Sequence, residues 1–278
     1  MKKTLISWTN VTWNPTHGCH KVSEGCRNCY AEALSLRYGF TKKPWTAANK
    51  KENVILKPHK LKEPYGLKKP SRVFVNSMSD LFHEQIPDEY LKQVFDVMND
   101  LPQHTFQILT KRPERAAQWK TGWTENILMG TSIEDSRVLH RLDELKRCPA
   151  KKRFISFEPL IGDVGELDLT GIHWVIVGGE SGKNRRELNQ QWAINIKNQC
   201  VEQGVPFFFK QDSAPLTETR CWLVEPDGTR WIWHQFPGEF TPPVRVPDDW
   251  TKDREMPPNA PKSAPVLGKQ MEQLSLLE

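Results

Sequence analysis

The sequence has no long apolar run and no strong excess of either charge. No stretch approaches the ~18 apolar residues that a membrane-spanning helix needs. The start, MKKTLISWTNVTW, turns polar by Thr9, too early for the apolar region of a signal peptide. We therefore expect a cytoplasmic protein with no membrane partner, in which thiols stay reduced. The net charge of +5 is compatible with a nucleic-acid partner but does not require one.

Cysteine is scarce in the chain, but three of its six cysteines fall within eleven positions. They are Cys19, Cys26 and Cys29, just before a stretch with helical spacing. In a reducing compartment, clustered cysteines bind metal or do chemistry more often than they form disulfides. Two sites fit this pattern. One is zinc with His17 or His20 as the fourth ligand, and the other is a four-iron cluster with one iron that the protein does not hold.

Short apolar runs alternate with helical patterns along most of the chain. Six runs are apolar enough for strands that are buried on both faces, as in a parallel sheet. These runs are 72–77, 105–110, 126–132, 153–159, 173–180 and 205–210. Helical spacing appears at 88–101, 136–147 and 189–204, and a first strand is expected near Leu5–Trp8. The alternation predicts an α/β protein, a partial or full parallel (β/α) barrel.

Composition divides the chain into three parts. Residues 1–212 carry the alternation and are expected to form the barrel. Residues 213–252 contain aromatic, strand-like stretches around Asp227-Gly228, which predict a hairpin in an irregular β-rich extension packed on the barrel. Trp222, Trp231 and Trp233 in this part fit core packing better than stacking on a base. Residues 253–278 are rich in proline and polar residues and are predicted to be a flexible tail.

Polar side chains follow every predicted strand. The carboxyl ends of parallel strands meet at one rim of a barrel, where active sites lie. The residues at these ends include Ser77, Ser79, Asp80, Lys111, Ser132, Glu158, Glu180 and Lys210. The cysteine loop follows the first strand, so we expect it at the same rim. A cluster with an open iron suits that position better than a structural zinc ion.

The layout resembles the radical S-adenosylmethionine (SAM) enzymes, whose three-cysteine loop holds a 4Fe–4S cluster that binds SAM. Their usual spacing is C-x3-C-x2-C, whereas this chain has C-x6-C-x2-C. TWNPTHGCHKVSEGCRNCYAE, VFVNSMSDLFHE, TFQILTKRPER, GTSIEDSR, FISFEPLIG, WVIVGGESG and VPFFFKQ together resemble the phage-type three-Cys-motif proteins. The ordered set S-x-S-D, T-K and S-I is similar to the spore photoproduct lyase-like branch of the radical SAM enzymes.

The resemblance implies roles for individual residues. Cys19, Cys26 and Cys29 would ligate the cluster. The SAM-binding residues would be Tyr30 near the adenine, Ser77, Ser79 or Asp80 at the amino group, and Lys111 and Ser132 at the carboxylate. Apart from the resemblance, Glu158, Glu180 and Lys210 at the other strand ends are candidate catalytic residues that would bind a polar substrate or move a proton; the alternative is that they form a salt-bridge network at the rim. The triplet Gly178-Gly179-Glu180 spells a SAM-binding motif that belongs after the second strand, but it follows about the sixth here, so Glu180 is assigned to the substrate.

We therefore expect a radical SAM-like enzyme that cleaves SAM reductively and abstracts hydrogen from a substrate. Such an enzyme needs an electron donor as a partner. Mild basicity, the lysine-rich stretch from Lys57 to Arg72 and the resemblance to a DNA-repair lyase favour nucleic acid or a nucleotide as substrate. The alternative is a non-catalytic zinc- or cluster-binding phage accessory protein that binds nucleic acid or a host protein.

Overall fold

The computed structural model describes residues 4–239, 241–253 and 255. Its strands are β1 (Val11–Trp13), β2 (Thr16–His17), β3 (Ile55–Leu56), β4 (Arg72–Val75), β5 (Thr105–Thr110), β6 (Ile127–Ser132), β7 (Lys152–Phe157), β8 (Trp174–Gly178), β9 (Phe207–Gln211), β10 (Leu223–Val224), β11 (Arg230–Ile232) and β12 (Val244–Arg245). Its helices are α1 (Tyr30–Arg37), α2 (Lys50–Asn53), α3 (Asp88–Asn99), α4 (Pro113–Gln118), α5 (His140–Arg147) and α6 (Gln190–Glu202).

Seven strands form one parallel sheet in the order β1-β4-β5-β6-β7-β8-β9. The six apolar runs of the sequence correspond to β4 to β9, and the run at 105–110 matches β5 residue for residue. Within the described residues β9 does not pair with β1, so the barrel is open. The predicted α/β class and the partial parallel barrel are confirmed.

The first strand lies later in the chain than predicted. It is Val11–Trp13 and pairs with β4, whereas Leu5–Trp8 is not a strand. The chain turns before β1, where the Thr9 amide donates to the Ile6 carbonyl at 3.2 Å. Trp8 is buried, but against the inner face of the half barrel rather than within the sheet. The apolar run around Trp8 therefore packs beside the sheet and is not one of its strands.

Two apolar layers cover the two faces of the sheet. The helices pack on the outer face in the larger core. The inner face carries a separate, mostly aromatic layer, whose buried members are Trp8, Phe74, Leu128, Phe154, Trp174, Ile176, Phe208 and Phe236. Phe154 lies so close to β6 that a Cβ on Gly130 would be 2.4 Å from its ring, so only glycine fits there.

Alternation along the strands directs polar side chains to the inner face above this aromatic layer. Successive side chains of a strand point to opposite faces, so residues two or four apart share a face. Ser132 therefore faces inward with Leu128, and Lys210 with Phe208. These positions lie near the carboxyl ends of β6 and β9, where the sequence predicted a functional rim.

Residues after the sheet form a smaller sheet and cover one of its edges. β10, β11 and β12 pair in antiparallel order, and Gly228 has a φ of +83°, so the predicted hairpin around Asp227-Gly228 is confirmed. Trp222 lies in the core of this smaller sheet. The Phe209 amide donates to the Trp233 carbonyl, which pairs this segment with the outer edge of β9. Most of the predicted tail at 253–278 lies outside the described residues.

Candidate functional site

The three clustered cysteines lie on one loop at the carboxyl end of the sheet. The loop runs from β2 to α1, and Cys29 directly precedes the helix. The Gly18 amide donates to the Met78 carbonyl at 3.0 Å, which attaches the start of the loop to the segment after β4. All three thiols are free and half-buried. Burial raises the pKa of Cys19 and Cys29, and Cys26 raises both further, so the three sulfurs lie close enough to interact electrostatically.

The spacing of the sulfurs does not match a tetrahedral zinc site. Zinc–sulfur bonds near 2.3 Å put the sulfurs of such a site about 3.8 Å apart. Among the described residues, only His20, His83 and Glu84 form a set of three ligand atoms that all lie within 4.8 Å of one another. At least one pair of the sulfurs of Cys19, Cys26 and Cys29 is therefore more than 4.8 Å apart.

The side chains of His20, His83 and Glu84 already contact one another and cationic side chains of the protein. Nδ1 of His20 lies 2.7 Å from Nε2 of His83 and 3.2 Å from Nη2 of Arg112. Lys50 pairs with Glu84 at 2.9 Å. This cluster is thus a hydrogen-bonded network beside the cysteine loop. The other predicted zinc ligand, His17, stacks on Phe40 and contacts Lys57.

A buried carboxylate, Glu134, connects the cysteine loop to the strand ends. It follows β6 and accepts hydrogen bonds from Ser23 at 2.8 Å and from Arg141 at 3.0 Å. Lys111 lies 3.5 Å from the same carboxylate. A Cβ on Gly25 would lie 2.1 Å from the Glu134 side chain, so the loop backbone packs directly on it. Sequence analysis assigned no role to Glu134, although an acid two residues after a buried strand was the available signal.

Lys111 interacts electrostatically with two of the cysteines of the loop. Burial opposes its charge, but the Glu134 carboxylate and the sulfurs of Cys26 and Cys29 raise the pKa of Lys111 above its ordinary value. Because Arg141 shares Glu134, the group of two cations and one anion keeps a net positive charge. This charge suits an anionic ligand between the sulfurs and the strand ends.

The Asp80 carboxylate is the centre of a second network of hydrogen bonds at the rim. Its carboxylate accepts hydrogen bonds from Thr110 at 2.6 Å, from Arg112 at 2.9 Å and from the amides of Phe82 and Lys111. Burial favours the neutral acid, but Arg112 and these donors hold the pKa of Asp80 below its ordinary value. With four partners, Asp80 is less available to a ligand amino group than the sequence suggested.

The two serines and the tyrosine predicted at the SAM site connect the segment after β4 to the residues at β2 and to the start of α1. Ser77 hydrogen-bonds Asn14 at 3.1 Å, and Ser79 lies 2.8 Å from the Thr16 hydroxyl. Tyr30 donates to the Ser77 carbonyl at 2.7 Å. These contacts bring the predicted residues next to the cysteine loop. Ser132 is buried on the inner face of the neighbouring part of the rim.

The predicted substrate residues fall into two groups. Lys210 pairs with Glu158 at 3.0 Å on the inner face. Both side chains pass close to Gly178, where a Cβ would lie 3.1 Å from Oε1 of Glu158 and 3.5 Å from Cβ of Lys210. Glu218, which the sequence did not single out, is buried beside them, and burial raises its pKa to about 7. No described group bonds its Oε2 atom. Nothing in the local sequence marked Glu218, because a loop of the extension brings it back to the barrel.

Glu180 belongs to a different part of the rim. It accepts hydrogen bonds from Asn28 at 2.9 Å and from Arg186 at 2.7 Å. Burial works against its charge, but these partners lower the pKa of Glu180 below its ordinary value. Asn28 lies between Cys26 and Cys29, so Glu180 fixes the cysteine loop rather than joining Lys210 and Glu158.

Comparisons with known proteins identify the family. The family model described as "Protein of unknown function (DUF5131)" matches residues 3–229, so the chain belongs to this family. No curated protein matches the sequence. A solved structure of a spore photoproduct lyase variant, with bound AdoMet and a dinucleoside spore photoproduct, aligns with a TM-score of 0.41 and 12% identity. The alignment covers 86% of this chain and 68% of that one, and at this level it says nothing about chemistry. No helix among the described residues has the length and apolarity to span a bilayer.

Removing the Glu134 carboxylate tests how strongly the rim depends on it. Glu134→Ala would leave Arg141 and Lys111 buried without their shared anion, which costs about 3–5 kcal/mol for such a pair. We expect urea unfolding to show a loss of this order. Glu125→Ala, which breaks the exposed pair with Lys151, is the control and should have a far smaller effect. Equal losses in the two variants would contradict the role given to Glu134.

Proposed function

We propose that the chain is a radical SAM-like enzyme whose cysteine loop holds a 4Fe–4S cluster. The observation that best supports the proposal is the loop itself, which carries three free thiols at the carboxyl rim of a parallel half barrel. Three thiols leave one iron of such a cluster without a protein ligand. When bound, the cluster and SAM would supply a reductively generated carbon radical that abstracts hydrogen from a substrate. The phage-type three-Cys assignment remains a prediction.

Residues next to the cysteine loop would bind the carboxylate and the amino group of SAM. Lys111 belongs to a network with a net positive charge and interacts electrostatically with Cys26 and Cys29, so it would bind the carboxylate by a charge-assisted contact. Ser77 and Ser79 are better candidates than Asp80 for the amino group, because Asp80 already has four partners. Ser132 on the inner face remains a candidate for the carboxylate.

The inner face of the half barrel offers polar groups for a substrate. Glu158 and Lys210 pair there, and Glu218 presents a buried oxygen that no described group bonds. Polar groups buried without a partner are uncommon and often lie at functional sites. These three groups would bind and orient a polar substrate, and the aromatic layer beneath them would exclude water from the reaction. Glu180 would act on the substrate only indirectly, through the position of the loop.

Positive charge is concentrated in one segment next to the cysteine loop. Residues 38–71 contain nine lysines and two glutamates, a net charge of +7, whereas the whole chain carries +5. β3 of this segment pairs with β2, directly before the loop. Tyr38, Phe40 and Tyr65 in the segment are each about half exposed. Lysines bind phosphates and exposed rings stack on bases, so this surface supports a single-stranded nucleic acid as substrate.

The cluster is tested by metal analysis of protein purified without air. About four irons and four sulfides per chain are expected, with the visible absorption of a cysteine-ligated cluster. Alanine at Cys19, Cys26 or Cys29 should abolish the iron, whereas Cys148→Ala and Cys200→Ala are the controls and should retain it, because both lie in the core. Stoichiometric zinc without a chromophore would contradict the proposal and favour the non-catalytic alternative.

SAM binding tests the role of Lys111. Lys111→Met removes a charged partner of the carboxylate, worth roughly 1.5–3 kcal/mol. We expect SAM affinity, measured by calorimetry on cluster-loaded protein, to fall roughly ten- to a hundredfold. Lys197→Met is the matched control, since Lys197 is also buried and ion-paired, to Glu225, but lies on α6. An unchanged affinity in Lys111→Met would remove Lys111 from the site.

The nucleic-acid surface is tested by the salt dependence of binding. Lys42, Lys51 and Lys62 are exposed, and no ion pair to them occurs in the described structure. Replacing all three by alanine should lower the salt slope of binding to a labelled single-stranded DNA by about 2. The control replaces Lys92, Lys151 and Lys252, which are exposed elsewhere. Equal effects of the two triple variants would indicate net charge alone, and no binding by the wild type would exclude DNA as the ligand.

A further inference from the structure

Arg112 is a buried guanidinium in contact with a predicted cluster ligand. It follows β5 and precedes α4, and only 6% of its surface is exposed. Its Nη1 atom lies 3.4 Å from the sulfur of Cys19 and donates to Asp80 at 2.9 Å. Its Nη2 atom donates to the His20 carbonyl at 3.3 Å. The guanidinium therefore contacts the side chain of Cys19 and the backbone of the next residue.

The carboxylates of Asp80 and Glu84 hold the guanidinium of Arg112 in position. Asp80 is itself held by Thr110 and by the amides of Phe82 and Lys111, so its carboxylate has little freedom to move. Nε of Arg112 also lies 3.5 Å from Glu84. An arginine held at several of its nitrogens keeps a constant orientation towards the sulfur.

Cys19 differs from the other two cysteines in having a cationic hydrogen-bond donor close to its sulfur. The sulfur of Cys26 has a hydroxyl, that of Ser23, at the longer distance of 3.9 Å. Lys111 acts on Cys26 and Cys29 through its charge, and no side-chain hydrogen bond from it to either sulfur occurs among the described residues. The cysteine loop thus has one sulfur with a close cationic donor.

We propose that Arg112 is a positioning residue that raises the reduction potential of the cluster through a hydrogen bond to the Cys19 sulfur. The inference rests on the proposed function, since it needs the cluster. Reduction adds one electron to the cluster, and that electron comes from an external donor. A nearby positive charge and a donated hydrogen bond stabilise the more negative, reduced form. Asp80 opposes part of this effect because its negative charge is paired with the same guanidinium nitrogen, Nη1, that contacts the sulfur.

The test is a redox titration of cluster-loaded protein followed by electron paramagnetic resonance. Arg112→Gln should make reduction at least tenfold less favourable, which lowers the midpoint potential by about 59 mV for a one-electron couple. Asp80→Asn should shift the potential in the opposite direction, because the charge of Arg112 is then no longer balanced. Arg112→Lys keeps the charge but not the fork of donors, so its potential should lie between those of wild type and Arg112→Gln.

Arg153→Gln is the matched control. Arg153 is a partly buried arginine near the start of β7, at the opposite end of the strand from the rim, and it donates to the Leu145 and Cys148 carbonyls rather than to a sulfur. The potential of this variant should stay near that of wild type. If Arg112→Gln does not load iron, Asp80→Asn and Arg112→Lys still give the sign of the effect.

The outcomes separate this inference from the proposed function. A wild type that binds no iron refutes the proposed function and the inference with it. A wild type that binds a cluster, with unchanged potentials in Arg112→Gln and Asp80→Asn, refutes the role of Arg112 alone. Equal shifts in Arg112→Gln and Arg153→Gln would also refute it, since the effect would then come from general loss of charge.

Discussion

Every charge that the half barrel buries at its rim has to be paired, because an isolated ion inside a protein is far less stable than in water. The pairs join different strand ends. Asp80 follows β4 and binds Arg112 after β5, while Glu134 follows β6 and lies beside Lys111 after β5. Glu158 follows β7 and pairs with Lys210 of β9. The pairs therefore fix the distances between the strand ends on which the cysteine loop lies.

The pairs also govern the electrostatics of the loop. Cations of two of them act on different cysteines: Arg112 donates to the Cys19 sulfur, and Lys111 interacts electrostatically with Cys26 and Cys29. A metal cluster held by thiolates carries negative charge, and these cations would compensate it. The carboxylates keep the cations in position and moderate their charge. Structure and electrostatics at this rim are thus set by the same few contacts.

The sequence predicted the sheet well because buried parallel strands read as continuous apolar runs, and β4 to β9 were found in this way. The same rule placed the first strand wrongly, since the run around Trp8 packs against the inner face without belonging to the sheet. The polar strand ends were recognised, but not their partners. Pairing of Lys111 with Glu134, or of Glu180 with Arg186, depends on register and side-chain reach, which no local pattern encodes. Glu218 reaches the site only through the course of the extension.

The pairing of the segment around Trp233 with β9 has a consequence for the integrity of the molecule. An edge strand offers unpaired amides and carbonyls to any other extended chain, and proteins protect such edges to avoid aggregation. Phe207–Phe209 lie on this edge, and the Gln235 amide donates to the Phe207 carbonyl beside them. The extension therefore satisfies backbone groups of β9 that would otherwise be open at this edge. The end of β9 is a poor place to divide the chain, even though the predicted functional residues almost all lie before it.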